Sequence, residues 1–293
     1  MAGEVGVSIL SDYPCHLGEG PVYDPDTDTL FWFDILGRKL LEKRLGGMET
    51  VIRDLPEMMS ALAIINEGNQ LLVGESGLSI RDVKTGAITP YFAVEGDNPV
   101  TRSNDARVHP CGALWLSTMG KKAERGAGSI YWFFKGEFRT LVPDISIPNS
   151  ICFSPDGAAA YYTDTAVNLL YRVACDPETG LPAGERRVFF DHGGRQGGLD
   201  GSVVDAEGVL WNARWGASSI DAYSPDGRLV RSIALPTGQP SCPAFVGANA
   251  DRLAVTTAWE HMDEAARQAD RHAGRTLLLD LPVQGRFEPR VLI

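Results

Sequence analysis

The chain has 293 residues, 44% hydrophobic and 22% charged, with a formal net charge of −11. This composition suits a globular chain with a sizeable core, and there is no low-complexity tract or like-charge tail. The negative balance argues against a nucleic-acid phosphate backbone or an anionic membrane surface as partner, and it is compatible with a bound cation.

The N-terminal stretch Met1-Ala-Gly-Glu-Val-Gly-Val-Ser-Ile-Leu10 has no basic segment leading into a long apolar one. No apolar run approaches the roughly 18 residues of a membrane span, so the expected location is the cytoplasm. Five cysteines, Cys15, Cys111, Cys152, Cys175 and Cys242, are widely spaced and never in a C-x-x-C pair. They predict small buried apolar residues rather than a disulfide framework or a thiolate zinc site.

In chain order, one unit then recurs six times: a short apolar strand, a polar turn and a second apolar strand. The first copy runs from Glu19-Gly-Pro-Val-Tyr23 through the turn Asp24-Pro-Asp-Thr-Asp28 to Thr29-Leu-Phe-Trp-Phe33. The later copies begin at Ala61-Leu-Ala-Ile-Ile65, Asn104-Asp-Ala-Arg-Val108, Asn149-Ser-Ile-Cys-Phe153, Asp200-Gly-Ser-Val-Val204 and Cys242-Pro-Ala-Phe-Val246. Their turns start at residues 24, 66, 109, 154, 205 and 247, in steps of 42, 43, 45, 51 and 42. A period of this length with several short strands per copy predicts an all-β, six-bladed β-propeller, read as a single domain over 1–293. Residues 259–272 are polar and helix-favouring, and predict an inserted loop or short helix in the last blade. Closure of the fold is expected to pair residues 5–10 with 290–293.

Equivalent positions on successive blades of a propeller share one height, so residues in one frame of the repeat converge on the axis. Five residues before each turn stand Glu19, Ala61, Asn104, Asn149, Asp200 and Cys242. Four of the six offer oxygen, each at the entry to an apolar or small-residue strand that needs no such group. The acids of Ser154-Pro-Asp-Gly157 and Ser224-Pro-Asp-Gly227, by contrast, are ordinary turn chemistry. Two carboxylates and two amide oxygens converging on one point require a positive charge between them, or else a channel-plugging hydrogen-bond network. A divalent cation with open positions is the simplest answer, and oxygen ligands suit Ca²⁺, Mg²⁺ or Mn²⁺. Arg102 lies at the same mouth, placed to fork onto a substrate or to pair with Glu19 or Asp200. No G-x-S-x-G elbow, phosphate loop or catalytic Cys/His pairing occurs, which argues against covalent catalysis.

Leu17-Gly-Glu-Gly-Pro21, Leu30-Phe-Trp-Phe-Asp-Ile35, Arg102-Ser-Asn-Asp105, Ser117-Thr-Met119, Ile147-Pro-Asn-Ser150, Leu199-Asp-Gly-Ser202 and Cys242-Pro-Ala-Phe245 together resemble the SMP-30/gluconolactonase, or regucalcin, family. The resemblance covers nearly the whole chain in order. It implies a six-bladed propeller with one divalent metal (Ca, Mg, Mn, Zn or Fe) held by Glu19, Asn149 and Asp200. Arg102 and Asn104 match residues that contact substrate or metal-bound water. Where many vertebrate members carry an acid soon after the Thr-Met, this chain has Gly120-Lys121-Lys122.

The expected function is metal-dependent hydrolysis of a small-molecule sugar lactone to its aldonic acid, with Asp200 as ligand and general base and no nucleic-acid or membrane partner. Two alternatives stand beside it: a non-catalytic Ca²⁺-binding or interaction propeller, and a related ester or phosphotriester hydrolase.

Overall fold

The computed structural model describes residues 5–293, so Met1–4 of the N-terminal stretch lie outside the described residues. Strand β1 (Gly6–Ser11) precedes blade one, which is β2 (Gly18–Asp24), β3 (Thr29–Asp34), β4 (Lys39–Arg44) and β5 (Val51–Asp54). Blade two is β6 (Met59–Asn66), β7 (Asn69–Gly74), β8 (Gly77–Asp82) and β9 (Ile88–Ala93), and blade three is β10 (Thr101–Val108), β11 (Leu114–Gly120), β12 (Gly128–Phe134) and β13 (Glu137–Ile145). Blade four is β14 (Pro148–Phe153), β15 (Ala159–Asp164), β16 (Leu169–Ala174) and β17 (Arg187–Asp191), and blade five is β18 (Gly198–Val204), β19 (Leu210–Trp215), β20 (Ser219–Tyr223) and β21 (Leu229–Ala234). Blade six joins β22 (Pro240–Val246), β23 (Arg252–Thr257) and β24 (Thr276–Asp280) to β1. Each is a four-stranded antiparallel sheet, and the fold class is the expected six-bladed β-propeller.

The chain divides into two compact units. One, Met1–Asp54 with Gly194–Phe287, holds blades one, five and six; the other, Leu55–Gly193 with Glu288–Ile293, holds blades two, three and four. Within each, the second strands are the apolar runs of the sequence, and the near-continuous pattern reflects burial on both faces. In β3 all six residues are buried, whereas all four of the outermost strand β5 are exposed. Trp32 anchors one core of the first unit with Tyr23, Leu41 and Ala254, and Trp115 anchors one of the second with Phe153, Tyr162 and Trp132. All five cysteines are free, four of them buried. No helix among the described residues is long and apolar enough to cross a membrane.

The turn acids act locally, as read from sequence. Asp24 accepts from the Asp26 amide at 3.0 Å and from Thr27 Oγ1 at 2.7 Å, and the Ser154 hydroxyl donates to Asp156 at 2.6 Å. Asp205 is more deeply committed: its carboxylate accepts from the amides of Glu207 and Val209 and from Trp211 Nε1, at 2.9–3.0 Å. Asp205→Ala strands these three donors beside a buried indole, so unfolding in urea is expected to reveal a loss of about 1.5–3 kcal/mol.

Closure differs from the expectation. Strand β1 pairs with β24, from Gly6 opposite Asp280 to Ser11 opposite Thr276, and residues 281–293 form no strand. Pro282 and Pro289 interrupt that tail, and proline has no amide to give a ladder. The last six residues instead belong to the second unit, where the Val291 amide donates to Ile64 O and the Leu292 amide to Gly112 O, both at 2.9 Å.

The polar stretch 259–272 contains the short helix α1 (Glu264–Ala269), whose N-cap Asp263 accepts from the Ala266 amide. Trp259 stacks on His16 with centroids 3.9 Å apart and 5° between planes, and the Arg267 guanidinium lies 4.0 Å from the same indole. Asp270 ties the stretch down by accepting from Thr237 Oγ1 and the Gly238 amide.

Candidate active site

Every blade's first strand breaks its pairing with the second strand at or beside the frame position. Register is lost between Glu19 and Val22, Met59 and Ala61, Ser103 and Ala106, Asn149 and Cys152, Leu199 and Ser202, and Pro240 and Cys242. A bulge bends its strand and re-aims the side chains there, so these residues depart from simple in–out alternation. The residues following Glu19 and Asn149 are left-handed: Gly20 at φ 56° and Ser150 at φ 58°. For Ser150, which has a Cβ, that conformation costs about 1–3 kcal/mol, and the surrounding strand holds it.

In the second unit three of the expected residues form one relay. Arg102 Nη1 donates to Asn104 Oδ1 at 2.8 Å, Asn104 Nδ2 donates to Asn149 Oδ1 at 2.9 Å, and Asn149 Nδ2 donates to Thr165 Oγ1 at 3.0 Å. All three are buried. The guanidinium can only donate, so the relay assigns both amide orientations: each Oδ1 faces back towards Arg102. Asn149 Oδ1 keeps a second lone pair for another partner, and amide and carboxylate oxygens are the ligands hard cations take. Such an oxygen suits a divalent ion of the Ca²⁺ or Mg²⁺ type. Among the described residues no three His, Cys, Asp or Glu side chains come together.

Asp105, next to Asn104, points its carboxylate at the Ile151 amide, 2.7 Å away. Burial pushes its carboxyl up to about 6, against the pull of the nearby Arg107 guanidinium and that amide. Beside the Thr-Met pair, Glu95 accepts from Thr101 Oγ1 at 2.6 Å, Thr118 Oγ1 at 2.7 Å and Tyr131 OH at 2.5 Å. Burial disfavours its ionisation, yet these hydrogen bonds hold its carboxyl below the usual range. Lys121, which follows Gly120 at the end of β11, pairs with Glu75 at 2.6 Å.

In the first unit, Glu19 is half-buried on β2 and accepts from the Gly20 amide at 3.0 Å; Asp200 is buried on β18. Strand β22 packs against both first strands: Ser241 Oγ donates to Gly18 O, and a Cβ on Gly201 would lie 2.4 Å from Cys242 Sγ. Position 201 thus has room only for glycine. Cys242 itself is fully buried.

Three supporting residues escaped the sequence reading. Asp34 accepts from the amides of His16, Leu17 and Gly37, and Asp164 from those of Ser146, Ile147 and Ala166, all at 3.0–3.1 Å. Each thereby pins the loop that delivers a candidate ligand two residues later, Glu19 in one case and Asn149 in the other. Both acids stand fifteen residues after that ligand, a repeated spacing that is the signal for them. In blade five the polarity inverts: Arg214 donates to Gln196 O at 2.7 Å and Gly198 O at 3.2 Å, and pairs with Asp221 at 3.0 Å.

The sequence matches the SMP-30/Gluconolactonase/LRE-like region family over residues 17–259. A calcium-binding protein, regucalcin, from Agrobacterium tumefaciens has a crystal structure that superposes with a TM-score of 0.98 at 49% identity, covering 99% of this chain and 98% of that one. The L-arabinolactonase of Azospirillum brasilense is 36% identical over 91% of this chain and 89% of its own length. The 6-deoxy-6-sulfogluconolactonase of Pseudomonas putida is 32% identical over 85% of both chains. With the family match spanning most of the chain and the relatives aligned nearly end to end, this chain belongs to the SMP-30/gluconolactonase/LRE-like family.

Proposed function

We propose that this protein hydrolyses a sugar lactone to the corresponding sugar acid, with Glu19, Asn149 and Asp200 holding one divalent cation. The observation that supports this reading is the Arg102–Asn104–Asn149 relay, which fixes the orientation of the Asn149 amide oxygen and stands a guanidinium two residues from Asn104. Relatives named as an arabinolactonase and a sulfogluconolactonase support the substrate class. A divalent cation bound by these oxygens would supply Lewis-acid polarisation of the lactone carbonyl, a contribution of several kcal/mol.

The chain's own residues supply the remainder. Asp200 accepts a proton from the attacking water at a carboxylate oxygen, as general base. Water adds to the carbonyl carbon, the ring C–O bond breaks, and the leaving alkoxide takes up the proton that Asp200 accepted, giving the hydroxy acid and restoring the carboxylate. Arg102 and Asn104 hold the sugar hydroxyls so that the carbonyl stays in line with the water. The Asp34 and Asp164 anchors keep Glu19 and Asn149 in place without reorganisation, which is where preorganised sites gain their rate.

Acid release followed by pH-stat across a panel of sugar lactones tests the reading. Chelator-stripped protein is expected to fall to the spontaneous rate, and one of Ca²⁺, Mg²⁺, Mn²⁺, Zn²⁺ or Fe²⁺ added back is expected to restore turnover. Undiminished turnover after stripping overturns the metal assignment. Silence on every lactone, with tight Ca²⁺ uptake, favours a non-catalytic calcium-binding propeller.

A further inference from the structure

We propose that Asn212 is a positioning residue that aims Asp200; the inference rests on the reading of Asp200 as metal ligand and general base. Asn212 sits fully buried in β19, beside Leu210, Trp211 and Ala213 and opposite Asp221 of β20. It pairs with Ser202, the first residue after the register break in β18. The break takes Asp200 and Gly201 out of the ladder, so their carbonyls need donors from elsewhere. Asn212 Nδ2 supplies them: it lies 2.8 Å from Asp200 O, 3.0 Å from Ser202 Oγ and 3.3 Å from Gly201 O.

The geometric consequence falls on the Asp200 side chain. Holding the carbonyl of Asp200 fixes the peptide plane that follows it, and with it the ψ angle that sets where the Cα–Cβ bond points. The next residue, Gly201, lies so near β22 that a Cβ on it would run into Cys242 Sγ and Ser241 O. The backbone at Asp200 is therefore held by an amide on β19, with β22 close against the glycine that follows it. A polar side chain of the second strand serves a bulge carbonyl in blade three too, where Ser117 Oγ donates to Asp105 O at 2.7 Å. In blade five an amide reaches both carbonyls of the residues left out of register, and one of those residues carries the carboxylate. A buried asparagine in an apolar strand is the corresponding mark in the sequence.

Three variants of the full chain test this: Asn212→Leu, of similar volume without a donor; Asn212→Ser, which keeps a hydroxyl donor; and Asp205→Ala, which loosens the turn joining the same two strands, β18 and β19, away from the carbonyls that Asn212 holds. Each is stripped with chelator, titrated with Mn²⁺ by calorimetry, assayed on the best lactone at saturating Mn²⁺, and melted by circular dichroism. Asn212→Leu is expected to weaken Mn²⁺ binding about 10–100-fold, with Asn212→Ser intermediate and kcat following the same order. Asp205→Ala is expected to lower the melting temperature while leaving the Mn²⁺ Kd within about two-fold of wild type. A folded Asn212→Leu protein with wild-type Kd and kcat overturns the proposal, as does a folded Asp205→Ala protein that loses Mn²⁺ equally. If Asn212→Leu does not fold, Asn212→Ser decides alone, and wild-type Kd and kcat in it overturn the proposal. Wild-type protein that takes up none of the divalent ions fails at the metal reading itself, and the proposal falls with it.

Discussion

Asp200→Asn is expected to lower kcat for the preferred lactone by about 10²–10⁴-fold, the range that a positioned general base contributes. The substitution keeps the shape of the side chain and leaves the backbone carbonyl that Asn212 holds untouched. It removes the one property that an amide cannot replace, the capacity to take a proton from water. An amide oxygen still serves as a ligand to a hard cation, so part of the metal affinity should survive and saturating metal should not restore turnover. Asp200→Ala removes the ligand as well, and should lose both. The measurement is kcat by pH-stat at saturating metal, beside a thermal melt to show that the protein is folded. Turnover in Asp200→Asn within about three-fold of wild type would remove Asp200 from the proton transfer.

Arg214→Met is expected to be the most destabilising single change near the site, costing about 3–5 kcal/mol. Both members of the Arg214–Asp221 pair are almost wholly buried, with side chains 3% and 8% exposed. Removing the cation leaves the Asp221 carboxylate buried and supported only by hydroxyl donors, among them Ser232 Oγ at 2.5 Å and Tyr223 OH at 3.4 Å. It also releases the carbonyls of Gln196 and Gly198 that lead into the Asp200 strand. Urea unfolding should show a lower midpoint with unchanged slope, the sign of lost stability rather than a changed denatured state. The double variant Arg214→Met with Asp221→Leu should recover much of the loss, because an apolar pair leaves no buried charge behind. No recovery would place the cost in the carbonyl clamp instead.

What was legible in the sequence was what local chemistry decides. The turn at Asp24 and that at Ser154 announce themselves because their side chains bond to neighbours two or three residues away. Glu19, Asn149 and Asp200 stood out because a polar oxygen at the head of an apolar strand has no packing rationale. The register breaks that re-aim them were not legible, since nothing in an individual strand states which partner residue it will skip. Asp34, Asp164 and Arg214 were missed for a related reason: each bonds to backbone fifteen or more residues away, and the identity of a backbone group leaves no trace in the sequence. The partner of β1 was misread because both Thr276–Asp280 and the tail offer apolar residues; the two prolines of the tail were the discriminating mark.

The pairing of β1 with β24 also sets a schedule for synthesis. Five blades are built from contiguous sequence and can close as they emerge, but Gly6–Ser11 must wait for Thr276–Asp280. At about 5–20 residues per second, the roughly 270 residues between them take on the order of 15–50 s to be made. For that interval Gly6–Ser11 remains without its partner, and the sixth blade is the last of the six to be completed.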